Sequence, residues 1–173
     1  MAAGNQVTFE EFEQFIKDLN HRVWEVRRDA CERLGEIGDS RAVESLIFTL
    51  QDGVGAVRFA AASALGKLGD PTAIPALLTL LESSEFGTHG PVIEALTELR
   101  SQEAIPYFIN LLLDEDARIR GLAANALMQL TRQFIPFKAK GSLEEREEAV
   151  RHWLAWWDKN GIQEEPQEYQ DGQ

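Results

Sequence analysis

Residues 57–81 read VRFAAASALGKLGDPTAIPALLTLL, and this stretch decides the fold. Val57, Ala61, Leu65 and Leu68 fall at i, i+4, i+8 and i+11. Ala73, Ile74, Leu77 and Leu81 fall at i, i+1, i+4 and i+8. Each set marks one face of a helix with 3.6 residues per turn. Between them lies Gly69-Asp70-Pro71. A glycine can take the left-handed conformation that ends a helix. An aspartate can cap the free N–H groups of the next one, and a proline in the first turn gives up no hydrogen bond. The stretch is a helical hairpin.

The same pattern recurs at a constant offset of 31 residues. Val26, Val57, Thr88 and Ile119 align, as do Ala30, Ala61, Val92 and Ala123. Leu34, Leu65, Leu96 and Leu127 follow, then Ile37, Leu68, Leu99 and Leu130. In the second half of the unit, Ala42, Ala73 and Ala104 align, with Leu46, Leu77 and Phe108, then Leu50, Leu81 and Leu112. The junctions GEIGDSRA, GKLGDPTA and TELRSQEA place Asp39 or Ser40, Asp70 and Ser101 at capping positions. The periodicity predicts helices over about 8–19, 22–36, 40–51, 54–68, 71–82, 88–100, 102–113, 116–131 and 142–160. One hairpin cannot bury its apolar face alone, whereas stacked hairpins share a continuous core.

These units resemble HEAT-like repeats of the short bacterial kind best known from phycobilin lyase subunits. The resemblance covers about residues 8–131 and is carried by residues 57–81. The segment LTRQFIPFKAKGSLEEREEAVRHWLAWWDKNG is also similar to the Trp-rich end of many such proteins. The fold this implies is all-α: a right-handed α-solenoid of about four HEAT-like helical hairpins with helical N- and C-terminal caps. A single domain is expected over 1–160, with an opening helix, repeats over about 20–131 and a Trp-rich capping helix. The acidic residues 161–173 are expected to form a disordered tail. The family often carries an Asp–Arg ladder between repeats. Here Asp52 precedes Arg58 and Asp114 precedes Arg120, but the first unit has His21 and Arg27 and the third has Ser83 and His89. The expected ladder is therefore incomplete, with a structural role.

Departures from the consensus mark the ends. Arg33 stands where later units carry Ala64, Ala95 and Ala126, which suggests an outer face. The last helix places Val150, Trp153, Leu154 and Trp157 at core spacing, leaving Trp156 as the tryptophan most exposed. The third unit opens with SSEFGTHGPVIEAL. Gly90 and Pro91 there either delay the helix, leaving Phe86, Thr88 and His89 on a looser loop, or simply kink it. Phe86 and His89 are loop candidates for function.

Composition narrows the function. The chain has 173 residues with 17 Lys and Arg against 29 Asp and Glu, a net charge of −12. That excess counts against nucleic-acid binding and against docking on anionic membranes. The opening MAAGNQVTFEEF has no secretory character and no apolar run approaches a membrane span, so a cytoplasmic location is expected. His21, His89 and His152 lack a second histidine or cysteine at metal spacing, so neither a metal nor a cofactor is expected. The lone Cys31 sits inside a repeat helix and reads as a buried thiol. No phosphate loop or converging carboxylate pair points to catalysis.

In a HEAT-type array the second helix of each hairpin usually lines the concave face. Removing core positions leaves Glu44, Phe48 and Thr49 on that side of the first unit. Thr79 and Leu80 remain in the second, and Glu103, Tyr107, Asn110 and Leu111 in the third. Phe48, Leu80, Tyr107 and Leu111 are large apolar groups expected to face solvent, and Glu44 and Glu103 give an acidic rim. The leading expectation is a non-catalytic, monomeric scaffold or adaptor that binds a basic or helical segment of another protein in this groove. The alternative implied by the resemblance is a phycobilin lyase-like protein acting on a bilin or a phycobiliprotein subunit, using the same groove with Cys31, His89 or Tyr107.

Overall fold

The computed structural model describes residues 7–83 and 89–162. Helices dominate the described residues and no strand occurs among them. In chain order they are α1 (Phe9–Asp18), α2 (Trp24–Ile37), α3 (Val43–Thr49), α4 (Gly55–Leu68), α5 (Ile74–Glu82), α6 (His89–Glu98), α7 (Ile105–Leu111), α8 (Ala117–Thr131) and α9 (Leu143–Asn160). Short 3₁₀ turns, Ser40–Ala42 and Pro71–Ala73, lead into α3 and α5.

Local chemistry sets these boundaries. Thr8 and Glu11 form a capping box before α1, and Ser142 and Glu145 form another before α9, so each satisfies two backbone donors. Asp39 accepts from the Arg41 N–H at 3.0 Å and Asp70 accepts from the Thr72 N–H at 2.9 Å, as their positions predict. Gly38 and Gly69 end α2 and α4 at φ of 71° and 70°. The third junction departs from this pattern. Arg100 holds the equivalent left-handed position at φ 54°. Ser101 does not cap α7; it is buried, and its Oγ has no hydrogen-bond partner in the described structure.

The hairpins build two layers. Helices α2, α4, α6 and α8 pack against one another in sequence, and α3, α5 and α7 pack on α4, α6 and α8. Helix α1 lies on α2 and α9 lies on α7, which closes both ends. The core runs through the stack, from Leu34 and Leu46 through Leu65, Leu77, Leu96 and Phe108 to Leu127 and Trp153. A Cβ added at Gly35 would stand 2.9 Å from Ala64 Cα, and one at Gly66 would stand 2.9 Å from Ala95 Cα. These glycines let α2, α4 and α6 approach closely. At the equivalent position of α6 stands Thr97, and there a groove of about 260 Å³ opens between α6 and α8, lined by Thr97, Leu122 and Asn125.

One end supports an expectation and the other corrects one. Arg33 is exposed, ion-paired with Glu36 at 2.5 Å and 5.8 Å from the Phe15 ring centre, as an outer-face residue should be. On α9 the buried stripe is rotated from the expected one. Ala149 and Trp153 are buried, Val150, Trp156 and Trp157 pack against the core, and Leu154 is 44% exposed. Trp156 meets Trp153 edge-on at 5.9 Å. The difference is about half a residue step around the helix, with α9 docked on α7 and its Ala149–Trp153 side turned inward. Helix α6 is described from His89, three residues beyond the register of the α2, α4 and α8 starts at Trp24, Gly55 and Ala117, and Gly90 and Pro91 are buried within its first turn, so His89 is a helical residue rather than a loop residue. Phe86 and Thr88 lie outside the described residues, as does most of the acidic tail.

Candidate binding groove

The second-helix layer presents α3, α5 and α7. Along it Glu44, Thr79, Glu103 and Asn110 are exposed, Tyr107 and Leu111 are half-buried, and Phe48 is 69% exposed. Two residues depart from the expected solvent side. Leu80 is 7% exposed and Thr49 is 5% exposed, with the Thr49 hydroxyl donating to the Ser45 carbonyl at 2.8 Å. The reason is packing between hairpins. Each second helix packs on the first helix of the next hairpin, and the apolar stripe of α5 takes in Leu77, Leu80 and Leu81, wider than a two-position seam.

Two depressions open on this layer. The first, about 430 Å³, lies between the α1–α2 turn and α3, lined by Leu19, His21, Arg22, Arg27, Phe48 and Asp52 among others. The second, about 660 Å³, lies between α3 and α5, lined by Ile47, Leu50, Pro75, Ala76, Thr79 and Leu80. Its polar wall is Gln51, Asp52, Arg58 and Ser83. Gln51 and Asp52 line both depressions. The linings are also equivalent by repeat: adding 31 to Leu19, Arg27, Phe48 and Asp52 gives Leu50, Arg58, Thr79 and Ser83. Helix exposure alone did not reveal Leu50, Gln51 or Gly53 as lining residues. The 31-residue register applied to the helix ends and turns would have found them.

A polar ladder forms the base. Arg27 grips Asp52 with two nitrogens, at 2.6 and 2.9 Å, and donates to the His21 carbonyl at 2.8 Å. Arg58 donates to the Asp52 carbonyl at 2.7 Å, and Arg120 donates to the Asp114 carbonyl at 2.6 Å. The arginine six residues after each aspartate therefore holds its backbone. The carboxylate itself pairs with the arginine of the preceding unit. His89 occupies the arginine position of the third unit and sits 3.9 Å from the Asp114 carboxylate. Arg120 ends the series on the Ala139 carbonyl at 2.6 Å, which ties the 132–141 linker to α8. The ladder thus passes through the first unit, where the aspartate–arginine spacing alone reads as a gap, and in the third unit a histidine stands in the arginine's place 3.9 Å from the carboxylate.

Electrostatics separate structural groups from available ones. The hydrogen bonds from Arg27 hold the Asp52 carboxyl below its ordinary range. Burial pushes the Cys31 thiol up to about 12, and its side chain is fully buried, so it cannot serve as a nucleophile at neutral pH. A hydrogen bond with the Glu82 carboxylate raises the Tyr107 phenol and links α7 to α5. Among the described residues no group of three or more His, Cys, Asp or Glu is placed to hold a metal ion. No helix there is long and apolar enough to cross a membrane.

The comparisons agree with this architecture. The HEAT repeats family model matches residues 12–88, and the HEAT repeat model matches residues 104–134. The chain is a HEAT-like repeat protein. A subunit in the complex of CpcE and CpcF of phycocyanin lyase from Nostoc sp. PCC7120 superposes with a TM-score of 0.67 at 29% identity. That match covers 73% of this chain and 55% of the lyase chain, so the chain spans about half of its length. Within that class its fold is similar to that of a subunit of a phycocyanin lyase complex. An engineered protein also superposes, with a TM-score of 0.58 at 24% identity, over 83% of this chain and 68% of its own, a likeness of fold alone. No curated protein matches the sequence.

Proposed function

We propose that this chain is a non-catalytic scaffold whose second-helix layer receives a segment of another protein. The observation that carries the reading is Phe48, 69% exposed beside adjoining depressions of about 430 and 660 Å³. A large exposed aromatic next to a partly apolar cleft is costly in water and gains free energy when a partner covers it. The proposed face comprises Glu44, Phe48, Thr79, Leu80, Glu103, Tyr107, Asn110 and Leu111, with Leu80 as floor rather than rim. The reading takes the protein as a cytoplasmic monomer with one domain through residue 160.

The test is capture of partners on immobilised protein, comparing wild type with Phe48→Glu and Phe59→Glu. Phe59 is 50% exposed on α4, in the other layer. A partner retained by Phe59→Glu and lost by Phe48→Glu supports the proposed face. Loss with Phe59→Glu alone moves the site to the first-helix layer.

The likeness to a subunit of phycocyanin lyase supports a second reading, in which the groove handles a bilin or a phycobiliprotein subunit. With Cys31 buried, that reading rests on the groove, with His89 on α6 and Tyr107 on α7 as the remaining candidates. It predicts a shifted visible absorbance when protein and bilin are mixed, reduced by Phe48→Glu. An unchanged bilin spectrum at saturating protein contradicts bilin handling.

A further inference from the structure

The two depressions occupy the same place in consecutive repeats, yet they differ in size. Residue 48 is followed at 31-residue spacing by residues 79 and 110. In the first unit Phe48 lines the depression, which measures about 430 Å³. In the second unit the equivalent wall residue is Thr79, and the depression measures about 660 Å³. The smaller side chain leaves a space whose floor is Ile47, Leu50 and Leu80 and whose side is Pro75 and Ala76. Polar groups confine it at one end, where Asp52 is already engaged by Arg27. This is the form of a pocket for one large apolar side chain entering from solvent.

The charges around it select the chain that carries such a side chain. Glu44 is exposed one turn before Phe48, Glu82 is exposed one turn after Thr79, and Glu103 is exposed at the start of α7. Glu13 takes the corresponding place on α1. Against these four acids the same helix faces carry Lys17 and Arg41, while Arg22 and Arg58 line the depressions, Arg58 being tied to the Asp52 carbonyl. Arg41 is held by Asp39 at 2.6 Å and lies 4.5 Å from the Phe12 ring centre, so its charge is largely satisfied. A net charge of −12 also sets a second copy of this chain at an electrostatic disadvantage.

Resting on the second-helix layer as the binding face, we propose that the Thr79 pocket is an anchor site. It takes one large apolar side chain, such as Leu, Met, Phe or Trp, on a Lys- or Arg-bearing segment of a partner protein. The buried anchor supplies most of the affinity. The glutamates steer the basic segment and reject acidic ones.

The test is selection of a random 16-residue displayed-peptide library on wild-type protein, followed by binding of the enriched peptides to Thr79→Trp and Phe48→Glu. Thr79 is exposed on a helix, and circular dichroism checks that each variant keeps its helix content. The expected peptides carry net positive charge and one large apolar residue. Filling the pocket with Thr79→Trp weakens them by about tenfold or more, and replacing the peptide's apolar residue by alanine does the same. Enrichment of neutral or acidic peptides overturns the charge assignment. Peptides that keep their affinity for Thr79→Trp but lose it with Phe48→Glu overturn the anchor pocket while leaving the face intact. Peptides indifferent to both variants, or no enrichment at all, overturn the pocket and the face together.

Discussion

Asp52 joins the first two repeat units through both its side chain and its backbone. It accepts two hydrogen bonds from Arg27 and one from the Val54 N–H at 2.8 Å. Its backbone carbonyl accepts from Arg58. Both members of the pair are mostly buried, at 16% and 11% side-chain exposure, so the interaction is screened less than a surface pair. Asp52→Asn should cost about 2 kcal/mol at neutral pH, because an amide has one acceptor oxygen where the carboxylate has two. The carboxyl is held below its ordinary value in the fold. Its contribution is therefore complete above the unfolded value of about 3.9 and is lost as pH falls through the lower folded value. Denaturant melts should show the gap between wild type and Asp52→Asn narrowing as pH drops from about 5 towards 2. A gap that stays constant would mean the pairing is not electrostatic. Arg100 offers the opposite change. Its left-handed backbone strains any side chain, and the two equivalent positions carry glycine. Arg100→Gly should raise stability by about 0.5–1 kcal/mol, read as a higher midpoint temperature. A lower midpoint would show that the arginine side chain holds a compensating contact.

Between helices, the tightest constraint is the close approach of α4 and α6 over Gly66. A Cβ there would meet Ala95 Cα at 2.9 Å and the Glu98 carboxylate more closely still. Gly66→Ala must push two helices apart and should destabilise by about 1–3 kcal/mol. Gly53, with nothing within 4 Å of its added Cβ, provides the control and should change by less than about 0.5 kcal/mol as alanine. Equal effects at both positions in thermal melts would remove close packing as the cause. The helices themselves were legible because core spacing, Gly38, Gly69 and the Asp caps all repeat at 31 residues, and they place most boundaries within two residues of those observed. The capping boxes TFEE and SLEE were equally readable signals for the starts of α1 and α9. Burial on the outer helices was less legible. Leu80 and Trp156 take their surroundings from the neighbouring hairpin, and periodicity within one helix does not report where a neighbour docks.

At the scale of the whole molecule, the array is a two-layer stack closed by α1 at one end and α9 at the other. The first-helix layer is drawn together by Gly35, Gly66 and small residues, so it has little room for a ligand until Thr97. The second-helix layer carries Phe48, the two adjoining depressions and the exposed glutamates. The candidate site was half legible. The exposed residues Glu44, Phe48, Thr79, Glu103 and Asn110 followed from helical phase. The depressions did not, because they lie between repeats and draw on turn residues such as Gln51 and Asp52. Direct contact with the partner is the most telling test of the second-helix layer. A photo-reactive benzoylphenylalanine at position 48, with a second protein carrying it at position 59, would be irradiated in the presence of the captured partner. A crosslinked species is expected from position 48 and none from position 59, competed away by peptides that bind the Thr79 pocket. Crosslinking from position 59 alone would contradict the second-helix layer as the binding face.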